Sequence, residues 1–190
     1  MKLMKFVTSF AVGGTERQFV RLALGLDASR FEVHFGCLRR FGHLLEPVQE
    51  RGIPVVDYEI SSFLSRRALT AQFRLARDIR RNNVDIVHTY NFYANVFAIP
   101  AAKLGGARIV ASIRDMGAYL SPRQRAMQRH VCRLADRILV NAAAIRDWLV
   151  EDGYRAEKIT VIPNGIETPD LDRSPAPSIR RELGIADDAP

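Results

Sequence analysis

Cysteine is scarce in this chain, since Cys37 and Cys132 are its only two among 190 residues. They fall in a predicted strand and a predicted helix, far apart along the chain. This argues against a disulfide framework or a cysteine metal site and favours a cytosolic protein. Likewise, no metal is implied, because no paired-aspartate motif stands out and the four histidines are scattered: His34, His43, His88 and His130.

Long apolar runs are also missing. No stretch reaches the roughly 20 apolar residues that a membrane-spanning helix needs. The run that follows Lys2 and Lys5 is short, contains Thr8 and Ser9 and lacks a cleavage site, so it predicts a buried first strand rather than a signal peptide.

Lysine is rare as well, and the net charge of +7 is carried mostly by arginine. Such a surface could attract phosphorylated sugars, nucleotides, anionic lipid or nucleic acid, although a solvated basic surface is the simpler interpretation. We do not expect nucleic acid to bind, because no recognised motif interleaves the arginines with exposed aromatic residues.

Short apolar runs alternate with segments of helical period along the chain. This pattern predicts an α/β protein with a doubly wound, Rossmann-like parallel sheet. Seven runs are candidate strands: Leu3 to Thr8, Phe31 to Leu38, Ile53 to Tyr58, Asp85 to Thr89, Arg108 to Ile113, Arg137 to Val140 and Ile159 to Ile162.

Three helices carry recognisable start signals. Thr15 and Gln18 have the spacing of a capping box, and an apolar face follows them. Ser121 and Gln124 repeat the spacing, and Asn141 is a candidate cap for a helix that stops at Gly153. The predicted apolar faces consist of Phe19, Leu22, Ala23 and Leu26 in the first helix, and of Ile145, Trp148 and Leu149 in the last.

Prolines become frequent after Pro163, which predicts a domain boundary. We expect a Rossmann-like domain over residues 1–165 and an interdomain linker over residues 166–190, with a short helix at Ser178 to Leu183. The chain ends as if cut between two domains, and a second domain is absent from it.

The turn Gly13, Gly14, Thr15 is the first candidate site. Glycines let the backbone approach a ligand closely, and a helix amino terminus offers free N–H groups to phosphate. However, GxGxxG is absent, and Glu16 brings a competing negative charge. A tight turn without a ligand is an equally good interpretation.

His88, Tyr90 and Asn91 form the second candidate site, at the end of the predicted fourth strand. Strand ends line the ligand crevice in open α/β sheets. His88 could donate to a sugar hydroxyl or shield charge, because the pKa of histidine is close to neutrality. The alternative is a core histidine bonded to a backbone carbonyl.

Arg114 and Asp115, directly after the fifth strand, are the third candidate site. Arginine can hold phosphate or carboxylate through two parallel hydrogen bonds, and aspartate can accept from sugar hydroxyls. Alternatively, the two side chains pair with each other at the surface.

Arginines also recur on two predicted helix faces. Arg125, Arg129 and Arg133 share one face, which could rest on an anionic membrane, although solvation is the default interpretation. On the preceding long helix, Arg67, Arg74, Arg77 and Arg81 are expected opposite an apolar face of Leu69, Phe73, Ala76 and Ile79.

Four segments together resemble the amino-terminal domain of glycosyltransferase family 4: GGTERQ, DIVHTYNFYANVFA, SIRDMG and CRLADRILVNAAAIRDWLVEDGYRAEKITVIPNGIE. The resemblance extends from Met1 to about Glu167. It implies one half of a GT-B fold, in which two Rossmann-like domains face a cleft and a sugar is transferred with retention of configuration. The amino-terminal domain of such enzymes binds the acceptor, and the carboxy-terminal domain holds the nucleotide-sugar donor.

The same resemblance implies roles for individual residues. Gly13 and Gly14 would approach the donor diphosphate, with Thr15, Asn91, Arg114 and Asp115 as further substrate-binding residues. His88 would lie near the sugar, and Tyr90 occupies the place of a second family histidine, so that its hydroxyl would contribute to catalysis. Asn141 stands where the family more often has serine. No cofactor or metal is implied.

The sequence therefore predicts the acceptor-binding half of a cytoplasmic hexosyltransferase of polysaccharide biosynthesis, acting on a glycan or lipid-linked acceptor. Without its donor-binding domain we expect negligible activity. Two alternatives remain open: a non-catalytic module that binds a sugar or nucleotide in the same crevice, and a scaffold that docks peripherally on the inner membrane face through Arg125, Arg129 and Arg133.

Overall fold

A computed structural model describes residues 1–60, 62–63, 65–165 and 183–184 of the chain. The strands are β1 (Lys2–Val7), β2 (Glu32–Cys37), β3 (Val55–Asp57), β4 (Ile86–Tyr90), β5 (Arg108–Ser112), β6 (Arg137–Val140) and β7 (Ile159–Val161). The helices are α1 (Gly14–Leu24), α2 (Glu46–Glu50), α3 (Arg66–Arg81), α4 (Asn91–Gly105), α5 (Pro122–Cys132) and α6 (Ala143–Glu151), with 3-10 turns at His43–Leu45 and Ala156–Lys158. All seven predicted strands are confirmed, with ends that shift by at most two residues.

The strands form one parallel sheet in the order β3-β2-β1-β4-β5-β6-β7. The strand order reverses direction between β1 and β4, so this is the switch point at which doubly wound sheets bind ligands. In the register of the sheet, Lys5 of β1 lies between Phe35 of β2 and His88 of β4. The predicted doubly wound α/β fold is confirmed.

Aromatic side chains fill the core on both faces of β1. On one face, the ring of Phe19 from α1 packs on Phe35 and Tyr90, at centroid distances of 5.0 and 4.9 Å. On the other face, Phe6 stacks on Phe97 of α4 at 5.5 Å. Rings of this size bury large apolar areas, so the two clusters fix α1 and α4 against the strands that carry the switch point.

Helix α1 does not begin as predicted. Its amino-terminal cap is Gly13, no side chain caps the helix, and Thr15 lies within the first turn, so the predicted capping box of Thr15 and Gln18 is wrong. Phe19 and Ala23 are buried as expected, whereas Leu22 is 47% exposed. The helix therefore begins at Gly14, before Thr15, the polar residue that was predicted to cap it.

The capping box of α5 is confirmed. The Ser121 hydroxyl accepts from the Gln124 amide at 3.3 Å, and the Gln124 side chain accepts from the Ser121 amide at 2.9 Å. Asn141, by contrast, does not cap α6, because Ala142 occupies that position. The Asn141 Oδ1 atom is buried and has no hydrogen-bond partner among the described residues. Helix α6 buries Ile145 and Leu149, and Trp148 is partly buried.

The apolar face of α3 is rotated from the prediction. Leu69 and Phe73 are 54% and 56% exposed, and the buried residues are Ala68, Ala71, Leu75, Ala76 and Ile79. Alanines at three of these five positions allow α3 to pack closely on α4, and Ile79 packs against Gly105 of α4. Arg74, on the face expected to be free, lies over the ring of Tyr58 at 4.6 Å and donates to the Asp57 carbonyl oxygen.

One face of the sheet at β5 to β7 is poorly covered. Val110 and Leu139 are only partly buried, and Ile162, just after β7, is 53% exposed. None of the three joins the buried clusters formed by the described residues. Parallel sheets are normally covered on both faces, so this surface lacks a partner in the described part of the chain.

Among the described helices, none combines the length and apolar character that crossing a bilayer requires. The predicted linker at 166–190 and its helix at Ser178 to Leu183 lie outside the described residues, apart from residues 183–184. The boundary at residue 165 therefore stays a prediction.

Candidate functional site

Strand β4 brings two of the predicted residues to the switch point. The rings of His88 and Tyr90 lie on one face of the strand with centroids 4.5 Å apart, as their spacing of two residues requires. Asn91 follows as the first residue of α4 and has a φ of 62°. A non-glycine residue in this left-handed region stores strain, which is typical of functional sites.

His88 is buried and hydrogen-bonded, with 2.9 Å between its Nε2 and the Ser112 hydroxyl of β5. Its partner is thus a hydroxyl and not the backbone carbonyl considered above. Burial holds the pKa of His88 well below its usual value, and the positive charges of Lys5 and Arg114 lower it further. The expectation of a histidine titrating near neutrality is wrong, because the imidazole is desolvated and neutral.

Lys5 is the unexpected member of the site. Its side chain is fully buried between the rings of Phe19 and Tyr90, with Nζ 4.9 Å from each centroid, and Nζ donates to the Tyr90 hydroxyl oxygen at 3.1 Å. Burial, followed by repulsion from Arg114, lowers the Lys5 pKa to about 7. The ammonium is therefore poised between its charged and neutral forms near physiological pH.

Tyr90 is buried at the end of β4, and burial raises its pKa above the usual value. Its phenol is therefore neutral at pH 7. Lys5 donates to the phenol oxygen, and the Ser112 hydroxyl is a further hydrogen-bonding neighbour of the phenol. Tyr90 can accordingly serve as a neutral hydrogen-bond donor.

Arg114 follows β5 and closes the site from the other side. Its guanidinium lies 6.0 Å from the centroid of the Tyr90 ring and donates to the Asn164 Oδ1 atom. Its backbone amide donates to the Asn91 Oδ1 atom at 3.3 Å. Asp115 instead accepts from the Gly117 amide and the Tyr119 hydroxyl, so the interpretation that Arg114 and Asp115 pair is wrong.

His88, Tyr90 and Arg114 border a cavity of about 270 Å³, here called the crevice cavity, whereas Lys5 and Asn91 are not among its lining residues. Its walls come from the ends of β4 and β5, from α1 and from the segment after β7. The Gln18 side chain bridges two of these walls by donating to the Gly165 carbonyl oxygen at 2.8 Å. The cavity is lined by Gln18, Leu22, His88, Tyr90, Ser112, Arg114, Leu139, Ile162, Pro163, Asn164 and Gly165.

The predicted glycine turn lies at the same edge of the sheet but does not line the crevice cavity. Space in front of Gly14 is open, since a side chain added there would meet no atom within 4 Å. The Glu16 carboxylate, however, lies against Gly13, where an added Cβ would be 2.3 Å from its Oε2. This acidic group disfavours an anion at the turn. Thr15 and Asp115 also lie outside the cavity lining.

A second cavity of about 400 Å³, here called the aromatic cavity, opens beside the ends of β1 and β2. Phe63 and Tyr93 stack there with centroids 5.6 Å apart. Arg39 and Tyr93 are exposed, and Phe63 is partly buried. The lining consists of Thr8, Leu38, Arg39, Ile60, Ser62, Phe63 and Tyr93.

A further cavity, of about 680 Å³, lies at the amino edge of the sheet, next to Asp85 just before β4 and Arg108 at the start of β5. The helix dipoles and strand ends that serve ligand binding lie at the opposite edge, so we assign it no chemistry. Within the described ranges, no group of three histidine, cysteine or acidic residues could hold a metal ion.

The arginine stripe on α5 is not uniformly free. Arg129 lies 3.5 Å from the Asp152 Oδ1 atom and also donates to the Asp152 carbonyl oxygen. Arg133 is exposed and Arg125 partly exposed. Membrane contact through this stripe stays a prediction, and it has one available arginine fewer than expected.

Sequence reasoning missed four members of the site: Lys5, Gln18, Ser112 and Asn164. A lysine within an apolar strand was the only available signal for Lys5. Ser112 and Asn164 stand within segments quoted for the family resemblance, but their contacts depend on how β5 and the segment after β7 fold back. Arg114 was predicted together with Tyr90 and Asn91, which it contacts, whereas its guanidinium's partner Asn164 was not.

Comparison with known proteins identifies the type of domain. The profile of Glycosyltransferase Family 4 matches residues 12–169. No curated protein sequence matches the chain. Among solved structures, the chain resembles HepE from Anabaena in complex with UDP, with a TM-score of 0.76 and 20% identity over 97% of this chain and 50% of HepE.

Two further structures show the same fold. A glycosyltransferase from Rickettsia africae has a TM-score of 0.74 and 18% identity, over 99% of this chain and 51% of that one. MurG from Acinetobacter baumannii has a TM-score of 0.63 and 16% identity, over 88% of this chain and 46% of that one. The chain thus spans about half the length of these structures, which are GT-B glycosyltransferases.

Proposed function

The chain belongs to glycosyltransferase family 4, and from this premise we propose that it is the acceptor-binding half of a retaining hexosyltransferase. The complete enzyme would transfer a sugar from a nucleotide-sugar donor to a glycan or lipid-linked acceptor. The observation that carries the proposal is the convergence of polar side chains from the ends of β4 and β5 on one crevice at the switch point, where the buried Lys5 of β1 is hydrogen-bonded to one of them, Tyr90.

A nucleotide-sugar donor is supported by the structural relatives. HepE has been solved with UDP, with UDP and glucose, and with UDP-glucose. At about 20% sequence identity these structures show the shared fold alone. Which sugar the donor carries in the present protein is therefore a question for experiment.

We assign the acceptor to the aromatic cavity. The stacked rings of Phe63 and Tyr93 offer a flat apolar surface, and Arg39, Thr8 and Ser62 add polar groups around it. A small number of polar groups on an apolar wall is the usual composition of a ligand site. Because the cavity adjoins the carboxyl ends of β1 and β2, an acceptor held there could present a hydroxyl to the switch point.

His88 and Tyr90 would act as neutral groups. The lowered pKa of His88 and the raised pKa of Tyr90 keep both side chains uncharged at neutral pH. We therefore propose that they position the reacting sugar through hydrogen bonds, and that the positive charges of Lys5 and Arg114 stabilise negative charge that develops on the leaving group. The same proposal includes contacts to the substrates from five further residues: Gly13, Gly14, Thr15, Asn91 and Asp115. It needs no metal or cofactor.

The poorly covered sheet face supports the need for a second half. Leu22 is 47% exposed and Ile162 is 53% exposed, next to the partly buried Leu139. We propose that the donor-binding half covers this surface and that residues 166–190 form the connection to it. Without that half, the chain would bind an acceptor but would not transfer a sugar.

A saccharide titration tests the acceptor assignment. The purified chain is titrated with a panel of mono- and oligosaccharides, and amide chemical shifts are followed by NMR. We expect shifts at Arg39 and Tyr93 that disappear in Tyr93→Ala and persist in Phe73→Ala, since Phe73 is an exposed aromatic residue on α3. Shifts that survive Tyr93→Ala, or a panel without any binder, would contradict the assignment.

A further inference from the structure

Helices α3 and α4 expose large apolar side chains next to each other. Leu69 and Phe73 of α3 and Leu104 of α4 are all exposed. They line a groove of about 180 Å³ whose walls come from both helices, and its remaining lining residues are Gln72, Pro100 and Ala101. Exposed apolar side chains that gather in one patch are typical of a surface that contacts a protein or a membrane.

Positive charge surrounds this groove. Arg66 and Arg77 share one face of α3 with the two apolar residues, because positions three, four and seven apart lie on the same side of a helix. Arg80 reaches across to α4, where its guanidinium donates to the Leu104 carbonyl oxygen at 2.6 Å. All three arginines are exposed. The groove and these arginines are here called the α3–α4 surface, which comprises Arg66, Leu69, Phe73, Arg77, Arg80, Pro100 and Leu104.

Acidic groups that could balance this charge are nearly absent from the two helices. Helix α4 contains none, and Asp78 is the only one in α3. Asp78 is turned toward the end of β3, where its Oδ2 atom accepts from the Tyr58 hydroxyl at 2.9 Å. Among the described residues, no carboxylate lies at ion-pair distance from an arginine of α3. The α3–α4 surface is therefore complementary to a partner that is both anionic and apolar.

An anionic bilayer surface has both properties. Apolar side chains enter the boundary between headgroups and acyl chains, and arginines bind the headgroups while their stems lie along the boundary. The arginine stripe on α5 is less suitable, because Arg129 is held by Asp152 and Arg125 is partly buried. A second copy of the chain is also less suitable, since it would bring like charges together.

The groove leads along α4 to the aromatic cavity. Tyr93 lines that cavity, and Pro100 and Leu104, seven and eleven residues further on, line the groove. These spacings put the three residues on one face of α4, with Tyr93 and Pro100 about 10 Å apart along the helix axis. A bilayer that rests on the α3–α4 surface would therefore lie beside the opening of the aromatic cavity.

We propose that the α3–α4 surface docks on an anionic lipid bilayer, with its leucines and Phe73 in the interface and its arginines on the headgroups. A second step rests on the proposed function. If the aromatic cavity holds the acceptor, its position beside the bilayer selects a lipid-linked acceptor, whose glycan enters the cavity while its lipid stays in the membrane.

Sedimentation with vesicles tests the docking. The full chain is mixed with vesicles of phosphatidylglycerol and phosphatidylcholine in equal parts, or of phosphatidylcholine alone. We expect binding to the anionic vesicles only. This binding should weaken between about 0.1 M and about 1 M salt, as the Debye length falls from about 10 Å to about 3 Å.

Paired arginine variants locate the contact. Arg66→Gln combined with Arg77→Gln should weaken vesicle binding at least about tenfold, because each arginine near an anionic surface contributes about fivefold. The matched control is Arg30→Gln combined with Arg51→Gln. It removes the same charge from two exposed positions beside β2 and α2 and should leave binding unchanged.

Tryptophan fluorescence reports insertion of the apolar groups. Phe73→Trp should be quenched by brominated phosphatidylcholine in anionic vesicles, whereas the unmodified chain, whose single tryptophan is Trp148 of α6, should not. Phe73→Asp should weaken binding at least about tenfold, and Val150→Asp, at an exposed apolar position of α6, should not. Tyr93→Trp should also be quenched, because the aromatic cavity would open beside the bilayer.

Folding of each variant is checked by circular dichroism. Equal binding to both kinds of vesicle, no binding to anionic vesicles, or equal losses in the two arginine pairs overturns the docking. A loss in Arg125→Gln combined with Arg133→Gln, without one in the α3 pair, moves the contact to α5 and overturns it as well. Quenching of Phe73→Trp without quenching of Tyr93→Trp overturns only the lipid-linked acceptor. The saccharide titration is carried out without lipid, so it tests the proposed function separately.

Discussion

The Lys5 ammonium donates a hydrogen bond of 3.1 Å to the Tyr90 hydroxyl oxygen, with both side chains buried at the point where the sheet reverses its strand order. This pair joins the two central strands, β1 and β4, directly beneath the crevice cavity. It places a cation without an acidic partner among the described residues where a sugar and its leaving group would meet.

Replacement of Lys5 by methionine should stabilise the chain. The unfolded chain holds the Lys5 proton up to a pKa of about 10.5, whereas the folded chain holds it only up to about 7. Between these values the unfolded state binds more protons, so this group makes stability rise with pH by about 1.4 kcal/mol per unit. Lys5→Met should raise the free energy of unfolding at pH 7 by about 1 to 4 kcal/mol.

Denaturant titrations of Lys5→Met and the unmodified chain at pH 7, 8 and 9 measure this effect. The difference between the two proteins isolates Lys5 from other groups that titrate in the range. The stability gained by the variant should shrink as the pH rises. A difference that stays constant with pH would show that Lys5 has an ordinary pKa.

Tyr90→Phe should destabilise the chain because it removes the acceptor of the Lys5 ammonium. A buried donor without a partner costs about 1 to 3 kcal/mol. In the Lys5→Met background the same substitution should cost much less, since no buried ammonium is left to satisfy. A double-mutant cycle by urea unfolding measures the coupling, which we expect to exceed about 0.5 kcal/mol. Additive effects would contradict a hydrogen bond between these side chains.

Asn91 can be tested through its backbone. Its φ of 62° is unfavourable for an alanine and free of strain for a glycine. Both substitutions remove the contact from the Asn91 Oδ1 atom to the Arg114 amide. Asn91→Ala should therefore be less stable than Asn91→Gly by about 1 to 2 kcal/mol in thermal or urea unfolding. Equal stability of the two variants would mean that the residue is not left-handed in solution.

The two proposed helix starts make a matched pair. Ser121→Ala removes a side chain that caps α5 and should cost about 1 kcal/mol. Thr15→Ala should change the stability by less than about 0.5 kcal/mol, because Thr15 lies within the first turn of α1 and caps nothing. Urea unfolding of both variants measures these changes. A loss of more than about 0.5 kcal/mol in the free energy of unfolding of Thr15→Ala would support the capping box predicted from the sequence.

The order of elements could be predicted from the sequence because each strand is a short apolar run and each helix has its own period. The ends of β6 were predicted to the residue, and Ser121 marks the start of α5 correctly. The helix faces were harder: Leu69 and Phe73 of α3 were expected to be buried, but the buried face consists of three alanines with Leu75 and Ile79. Periodicity gives the width of an apolar face and leaves its exact direction to the tertiary contacts.

The candidate site was predictable only where a residue type already suggests chemistry. His88, Tyr90 and Arg114 were identified in this way, and the structure brings them to one cavity. The neutral state of His88 could not be predicted, since it depends on burial and on two cations, Lys5 and Arg114, that are distant from it in sequence. Lys5 stands 85 residues before Tyr90, and only the register of β1 and β4 places them together.

The central claim is that this chain holds the acceptor and needs a donor-binding half for catalysis. One saturation-transfer NMR measurement on a mixture of UDP-glucose, a saccharide panel and the purified chain tests both parts at once. The account predicts saturation of at least one saccharide and no new anomeric signal from a transferred sugar. A new glycoside, or the absence of saturation in every saccharide, would contradict it.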